Sequence, residues 1–252
     1  MIKLKKQINK KEYNNEFSYK LLAFENHFKN IYKACQYSFE KGCGSYLFDG
    51  QNYEYQIETY QKQKILYEKT KNKKNILEIG TYMGHSLLII LMANPSANIT
   101  CIDINDRYSL PSVRYLQSEF PNSSINFLKS DSLKVLKKLK EKYDLIHIDG
   151  AHKNKIVTKE FYYCMNLIKE NDAKFIFDDK DNILILIRNI IGTFFIKDSE
   201  SPNCIYGNLY LNIIFPKNKF IYGYKKLNFI LKNFFSYIFL KIKKLLRLTK
   251  YR

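Results

Sequence analysis

From Asn75 onward the chain alternates short, continuous apolar runs with helix-length segments of mixed polarity: NILEIG, ANITCIDI, INFLKS, YDLIHIDG and AKFIFDD. Each run is apolar at consecutive positions, as in strands covered on both faces of a parallel sheet, and the intervals are long enough for right-handed helical crossovers. Five such repeats predict an α/β fold with a doubly wound, mostly parallel, Rossmann-like sheet. After Asp179 an apolar helix, DNILILIRNII, precedes two strand-like runs, GTFFIKD and NLYLNIIF, without a clear helix between them. An antiparallel pair closing the sheet on its C-terminal side follows from that pattern.

The two ends read differently. Residues 1 to about 72 are polar helical material with aromatic punctuation, including a helix from Tyr53 to Lys71 that ends in the solvated run KTKNKKN. No acidic or glycine-rich ligand motif occurs there, so this part is expected to cover a site rather than form one. The last stretch, from Lys225, contains FILKNFFSYIFLKIKKLLRL, apolar and basic at helical spacing. Such a helix is suited to docking on the core, to pairing with a second subunit, or to lying on an anionic membrane.

Length and composition narrow the picture. A chain of 252 residues holds one α/β domain with a sizeable core and helical additions, while two full domains would be cramped. Hydrophobic and aromatic fractions of 46% and 15% exclude global disorder. The net charge of +18 suits a phosphate-bearing partner, yet Lys, Ile, Asn and Tyr are frequent throughout, so charge alone selects none. Five scattered cysteines (Cys35, Cys43, Cys101, Cys164 and Cys204) show no C-x-x-C pair and no metal spacing, a pattern of reduced thiols. The basic N-terminus lacks the apolar core of a secretory signal, and no run reaches the roughly 18 apolar residues of a membrane span. A soluble cytoplasmic protein is the expectation.

The segment Ile76-Leu-Glu-Ile-Gly-Thr-Tyr-Met-Gly-His-Ser86 ends a strand and opens a helix. Gly80 permits a sharp turn and Gly84 lets the helix N-terminus approach a ligand closely. This is G-x-x-x-G, neither the G-x-G-x-x-G of a dinucleotide site nor a P-loop. Its weight comes from Glu78, two residues before the first glycine, and from Asp103 at the end of the next strand. A carboxylate at that strand tip accepts hydrogen bonds from the two hydroxyls of a ribose.

Taken in order, ILEIGTYMGHS, ITCIDIN, LKSDS and YDLIHIDGAH resemble the class I S-adenosylmethionine-dependent methyltransferases. More narrowly, they are similar to the metal-dependent small-molecule O-methyltransferases of the catechol and the antibiotic- and sugar-tailoring types. The resemblance covers about residues 75 to 180. It implies that Glu78 and Gly80, with Thr81, Tyr82 and Gly84, line the methionine end of S-adenosylmethionine, that Ser86 meets its carboxylate, and that Asp103 holds the ribose. Asp131 and Ser132 would face the adenine edge; otherwise Asp131 is a helix N-cap before SLKVLKKL. The implied organisation is a helical cap or lid at 1–72, an S-adenosylmethionine-binding catalytic domain at 73–222, and a basic amphipathic helix at 223–252.

Methyl transfer from a sulfonium is an in-line displacement, and an alcohol with a pKa near that of water, roughly 15, needs activation. Asp149 at the fourth strand tip and Asp178 and Asp179 at the fifth converge where ligands bind in such sheets, and they would repel one another unless a cation sits between them. Oxygen ligands suit Mg²⁺, Mn²⁺ or Fe²⁺, and in the resembling families an acid from the fourth strand tip and a pair from the fifth form a metal site. Alternatively one of the pair caps the following helix. His152 stands three residues after Asp149, where the catechol type places a lysine; a histidine there can act as base, metal ligand or substrate contact. Asp149 and His152 are the candidate catalytic residues. His147 reads as structural, and His85 is expected near the cofactor.

The expected function is therefore divalent-metal-dependent O-methylation of a small anionic metabolite, with a nucleotide-activated sugar for surface polysaccharide as the substrate by analogy. The alternatives are an RNA methyltransferase, suggested by charge, and a non-catalytic cofactor-binding interaction protein. A homo-oligomer and peripheral membrane contact through the C-terminal helix stay open.

Overall fold

The structure is a computed structural model that describes residues 10–38, 57–202 and 207–249. Cys43, Cys204 and residues 53–56 of the helix expected from Tyr53 lie outside the described residues.

Three helices, α1 (Glu16–Ala23), α2 (Glu25–Ala34) and α3 (Ile57–Thr70), precede β1 (Asn75–Ile79). The alternation predicted from Asn75 follows: α4 (His85–Ala93), β2 (Asn98–Asp103), α5 (Asp106–Glu119), β3 (Ser124–Lys129), α6 (Ser132–Leu136), β4 (Leu145–Ile148), α7 (Asn154–Cys164) and β5 (Asp172–Phe177). A short 3-10 turn and α8 (Leu184–Ile191) lead to β6 (Phe195–Glu200), β7 (Leu209–Ile214) and α9 (Lys219–Thr249). The seven strands are ordered β3-β2-β1-β4-β5-β7-β6. β1 to β5 run parallel, and β7 pairs antiparallel with both β5 and β6, as the sequence predicts.

Strand order reverses between β1 and β4, which opens a crevice beyond their C-terminal ends. Strand residues alternate between two apolar layers. Ile76 and Leu145 join the layer built with α1 to α5, while Leu77, Ile79, Ile146 and Ile148 join the layer under α7 to α9. In the second layer Phe161 of α7 meets Phe175 of β5 and Phe229 of α9 with ring centroids 5.0 and 5.3 Å apart.

Helix α4 reads HSLLIILMA because it is covered on both sides, by the sheet and by α3, and every residue from His85 to Met92 is buried. The N-terminal helices are thus built into the core. Asn15 caps α1 by accepting from the Ser18 backbone N–H at 3.2 Å, and Phe17 and Leu21 are fully buried. Tyr60 of α3 packs against Phe17 at 5.3 Å, and its hydroxyl lies 2.7 Å from Ser18 Oγ. Each such apolar side chain contributes about 1.5–3 kcal/mol on burial, so α3 is held firmly over the sheet.

Candidate active site

The turn after β1 exists because two strand tips crowd it. At Gly80, φ is +86°, and a Cβ there would lie 2.3 Å from the Asp149 carbonyl oxygen. Only glycine tolerates both. Its N–H donates to the Ile102 carbonyl at 2.8 Å, extending the ladder past β1. Gly84, with φ +73°, caps α4. Between them the Thr81 and Tyr82 backbone N–H groups donate to Asp103 Oδ2 at 2.9 and 2.8 Å, and Asn105 N–H donates to Oδ1 at 2.9 Å. Asp103 therefore sets the shape of the turn and keeps acceptor capacity on each oxygen.

A cavity of about 580 Å³ opens beside this turn. Gly80, Thr81, Tyr82, Ser86, Asp103, Asp131 and Ser132 line it, together with Asp149 and His152. Glu78 stands apart from the wall: its fully buried side chain faces β2 and β4, with Cys101 Sγ donating to Oε2 at 3.7 Å and His147 Nδ1 3.5 Å from Oε1. Gly84 also lies outside the wall. Asp131 is the helix cap that the sequence left open as an alternative, its Oδ1 accepting from Leu133 and Lys134 N–H at 2.9 and 3.2 Å, and it lines the cavity as well.

Among the wall residues that went unread in the sequence, two stand out. Ile104 is an exposed apolar side chain directly after Asp103, and Glu160 of α7 reaches the cavity from a helix that carries no motif. Ser132 Oγ donates to Glu160 Oε1 at 2.6 Å, and burial raises the Glu160 pKa despite that bond. Glu160 Oε2 and both ring nitrogens of His85, which also lines the cavity, are buried without a hydrogen-bond partner among the described residues. Buried polar atoms are rarely left so, and a polar ligand in this cavity would satisfy them. Burial pushes the His85 pKa down to about 4, so the ring is neutral, and Phe28 meets it edge-on at 5.3 Å.

At the tips of β4 and β5 the three acids converge as expected, and the cation between them is Lys62 of α3. Its ammonium is in ion-pair contact with Asp178 Oδ1 and lies 3.7 Å from Asp179 Oδ1. The Lys62 side chain is 9% exposed and that of Asp178 is 2% exposed. The Lys62 carbonyl accepts from Asn208 Nδ2 at 3.3 Å, which ties α3 to the start of β7. Burial and the neighbouring Asp178 carboxylate push the Asp149 pKa well above the usual carboxylate range, and a hydrogen bond links the two side chains. For Asp178, burial works the other way from Lys62 and Asp149, which prevail and hold its pKa low. Burial and the Asp178 charge raise the Asp179 pKa, against the pull of Lys62 and His152. His152, half-exposed at the cavity rim, places Nδ1 3.1 Å from Asp179 Oδ2.

A divalent ion fits this arrangement poorly as it stands. Ligand atoms of Asp149, His152 and Asp178 lie within 4.8 Å of one another. However, the Asp178 oxygen is already paired with the Lys62 ammonium.

Residues 77–180 match the protein family described as a methyltransferase domain. In sequence, the domain region is similar to the tapetum-specific methyltransferase 1 of Arabidopsis thaliana, 30% identical over 103 residues, or 39% of this chain and 42% of that protein. It is also similar to a polyamine aminopropyltransferase of Saccharolobus solfataricus, 31% identical over 108 residues, 39% of this chain and 36% of that one. The chain thus spans less than half the length of these relatives, and the matched stretch shares its sequence pattern with an enzyme named for transferring a different group. Among solved structures, SAH-bound PaMTH1 of Podospora anserina has a TM-score of 0.56 at 14% identity, covering 81% of this chain and 96% of that one. The O-methyltransferase TomG of Streptomyces achromogenes, solved with SAM, has a TM-score of 0.53 at 13% identity, covering 75% and 89%. Both show that the chain shares their fold.

Proposed function

We propose that the chain is an S-adenosylmethionine-dependent O-methyltransferase acting on a hydroxyl group of a small molecule. One observation carries the reading: Asp103 closes the Gly80 turn over a cavity whose rim carries the His152–Asp179 pair. The methyltransferase-domain match and the likeness of fold to structures holding SAM or SAH support the cofactor.

When bound, S-adenosylmethionine supplies a methyl carbon made electrophilic by its sulfonium. Asp103 would accept from the ribose hydroxyls, Glu160 Oε2 and Ser132 would meet the adenine, and Ser86 would face the carboxylate. Asp179 would hold His152 by its Nδ1–H, which leaves Nε2 basic and able to take the proton of the acceptor hydroxyl as its oxygen attacks. Lys62 keeps Asp178 charged and in place. The net charge of +18 favours an anionic acceptor, a nucleotide-activated sugar among them.

A second, metal-assisted reading is favoured by the close approach of Asp149, His152 and Asp178 ligand atoms. It requires Lys62 to release Asp178.

Calorimetric titration of S-adenosylhomocysteine into the full chain tests the proposal, with Asp103→Ala as control. Micromolar binding that the variant loses, followed by chelator-resistant release of S-adenosylhomocysteine with a hydroxyl acceptor, is the expected result. No binding by the wild type would overturn the cofactor assignment, and activity that appears only with added Mg²⁺, Mn²⁺ or Fe²⁺ would favour the second reading.

A further inference from the structure

Helix α9 is mounted with its apolar side outward. Phe220, Tyr224, Leu227, Leu231, Phe234 and Ile238 recur at intervals of four and three residues, so they share one face, and all six are exposed. The face turned to the protein is mainly polar. Lys225 Nζ donates to the Thr193 carbonyl at 2.8 Å, Lys226 Nζ to Asn166 Oδ1 at 2.8 Å, and Lys232 Nζ to the Gly192 carbonyl. Tyr237 takes Asn154 Nδ2 at 3.0 Å, and buried Asn233 takes Asn189 Nδ2 at 3.0 Å. Phe229 is its deeply buried aromatic anchor. A helix whose apolar stripe faces solvent over so many turns is built for a partner.

Charge identifies the partner. Between Lys219 and Thr249 the helix has eight Lys and Arg and no Asp or Glu, and no acidic residue follows Glu200 anywhere in the chain. Lys225, Lys226 and Lys232 are engaged on the protein side, while Lys219, Lys241 and Lys243 are exposed, and a second copy of α9 offers no carboxylate to pair them. An anionic bilayer supplies both missing halves at once: acyl chains for the exposed phenylalanines and leucines, and phosphates for the exposed Lys219, Lys241 and Lys243. No helix among the described residues is long and apolar enough to cross a membrane, so the compatible geometry is a helix lying in the interface.

We propose that α9 docks the protein on an anionic lipid surface. Because Tyr237 contacts Asn154, two residues from His152, docking would set the cavity rim close to that surface.

The test is co-sedimentation of the full chain with phosphatidylcholine vesicles, with and without phosphatidylglycerol, at low and high salt. Binding only to the anionic vesicles, weakened by salt, is expected. Phe235→Glu with Phe239→Glu, both exposed positions on the same helix, should lower partitioning by at least about tenfold, through lost apolar insertion and added repulsion. Circular dichroism of the variant separates this loss from misfolding, and Lys241→Glu with Lys243→Glu provides an independent variant at exposed positions expected to weaken binding in the same direction. Absence of vesicle binding would overturn the proposal, as would wild-type dimers in sedimentation analysis that the phenylalanine variant dissociates while vesicle binding is unchanged.

Discussion

Lys62 and Asp178 form an ion pair almost wholly removed from solvent, although 116 residues separate them along the chain and they come from a helix before the sheet and from the tip of its fifth strand. An acidic cluster that by composition alone calls for a bound cation is thereby neutralised from within. Breaking such a pair from one side leaves a buried charge uncompensated, at a cost of about 3–5 kcal/mol.

Lys62→Ala should therefore destabilise the protein by about 3–5 kcal/mol in chemical denaturation. Lys62→Met combined with Asp178→Asn removes both charges and should recover most of that loss. A double variant no more stable than Lys62→Ala would show that the pair is incidental.

Gly80→Ala is expected to be among the most damaging single changes in the cofactor turn. Its Cβ would meet the Asp149 carbonyl at 2.3 Å, and the backbone sits at φ +86°. Neither the turn nor the β4 tip can yield without moving Asp103 or Asp149, so thermal stability and S-adenosylhomocysteine affinity should fall together. A variant that keeps wild-type affinity would place the ligand elsewhere.

His152→Ala should lower kcat by about 10²- to 10⁴-fold, the range for removing a positioned general base, while cofactor affinity stays unchanged. Asp179→Asn keeps the hydrogen-bonding shape but loses the charge facing Nδ1, so it should reduce kcat less and alter the pH–rate profile. Equal losses of cofactor affinity and rate in His152→Ala would assign the residue to binding instead.

His85 gives stability a pH dependence with a definite sign. Its folded pKa is pushed down from 6.5 to about 4 by burial, so on acidification the unfolded chain takes up the proton first. Its contribution is constant above pH 6.5 and is lost as pH falls toward 4, by about 3 kcal/mol at most, at 1.36 kcal/mol per pKa unit. Unfolding curves for His85→Leu should be flatter than wild type across that window. Parallel curves would mean that His85 is solvated.

The glycine turn, the carboxylate at the tip of β2, the five parallel strands and the antiparallel close were all legible in the sequence. Each depends on local chemistry: continuous apolar runs for doubly covered strands, glycine where φ is positive, and an acid at a strand tip. Asp149, Asp178 and Asp179 were legible as a convergent set because parallel strand tips must lie side by side. What fills the space between them was not. Lys62 belongs to a polar helix that looks solvated in one dimension, and only the docking of that helix in the core brings it onto the tip of β5. Glu160 was hidden in the same way, on a helix whose inward face emerges only when α7 lies against α6. The outward-facing apolar stripe of α9 is the converse case. Sequence periodicity established that the helix has an apolar face, but burying a face is a long-range choice, and the tertiary structure spent the inner side on lysine and asparagine contacts and left the apolar side to solvent.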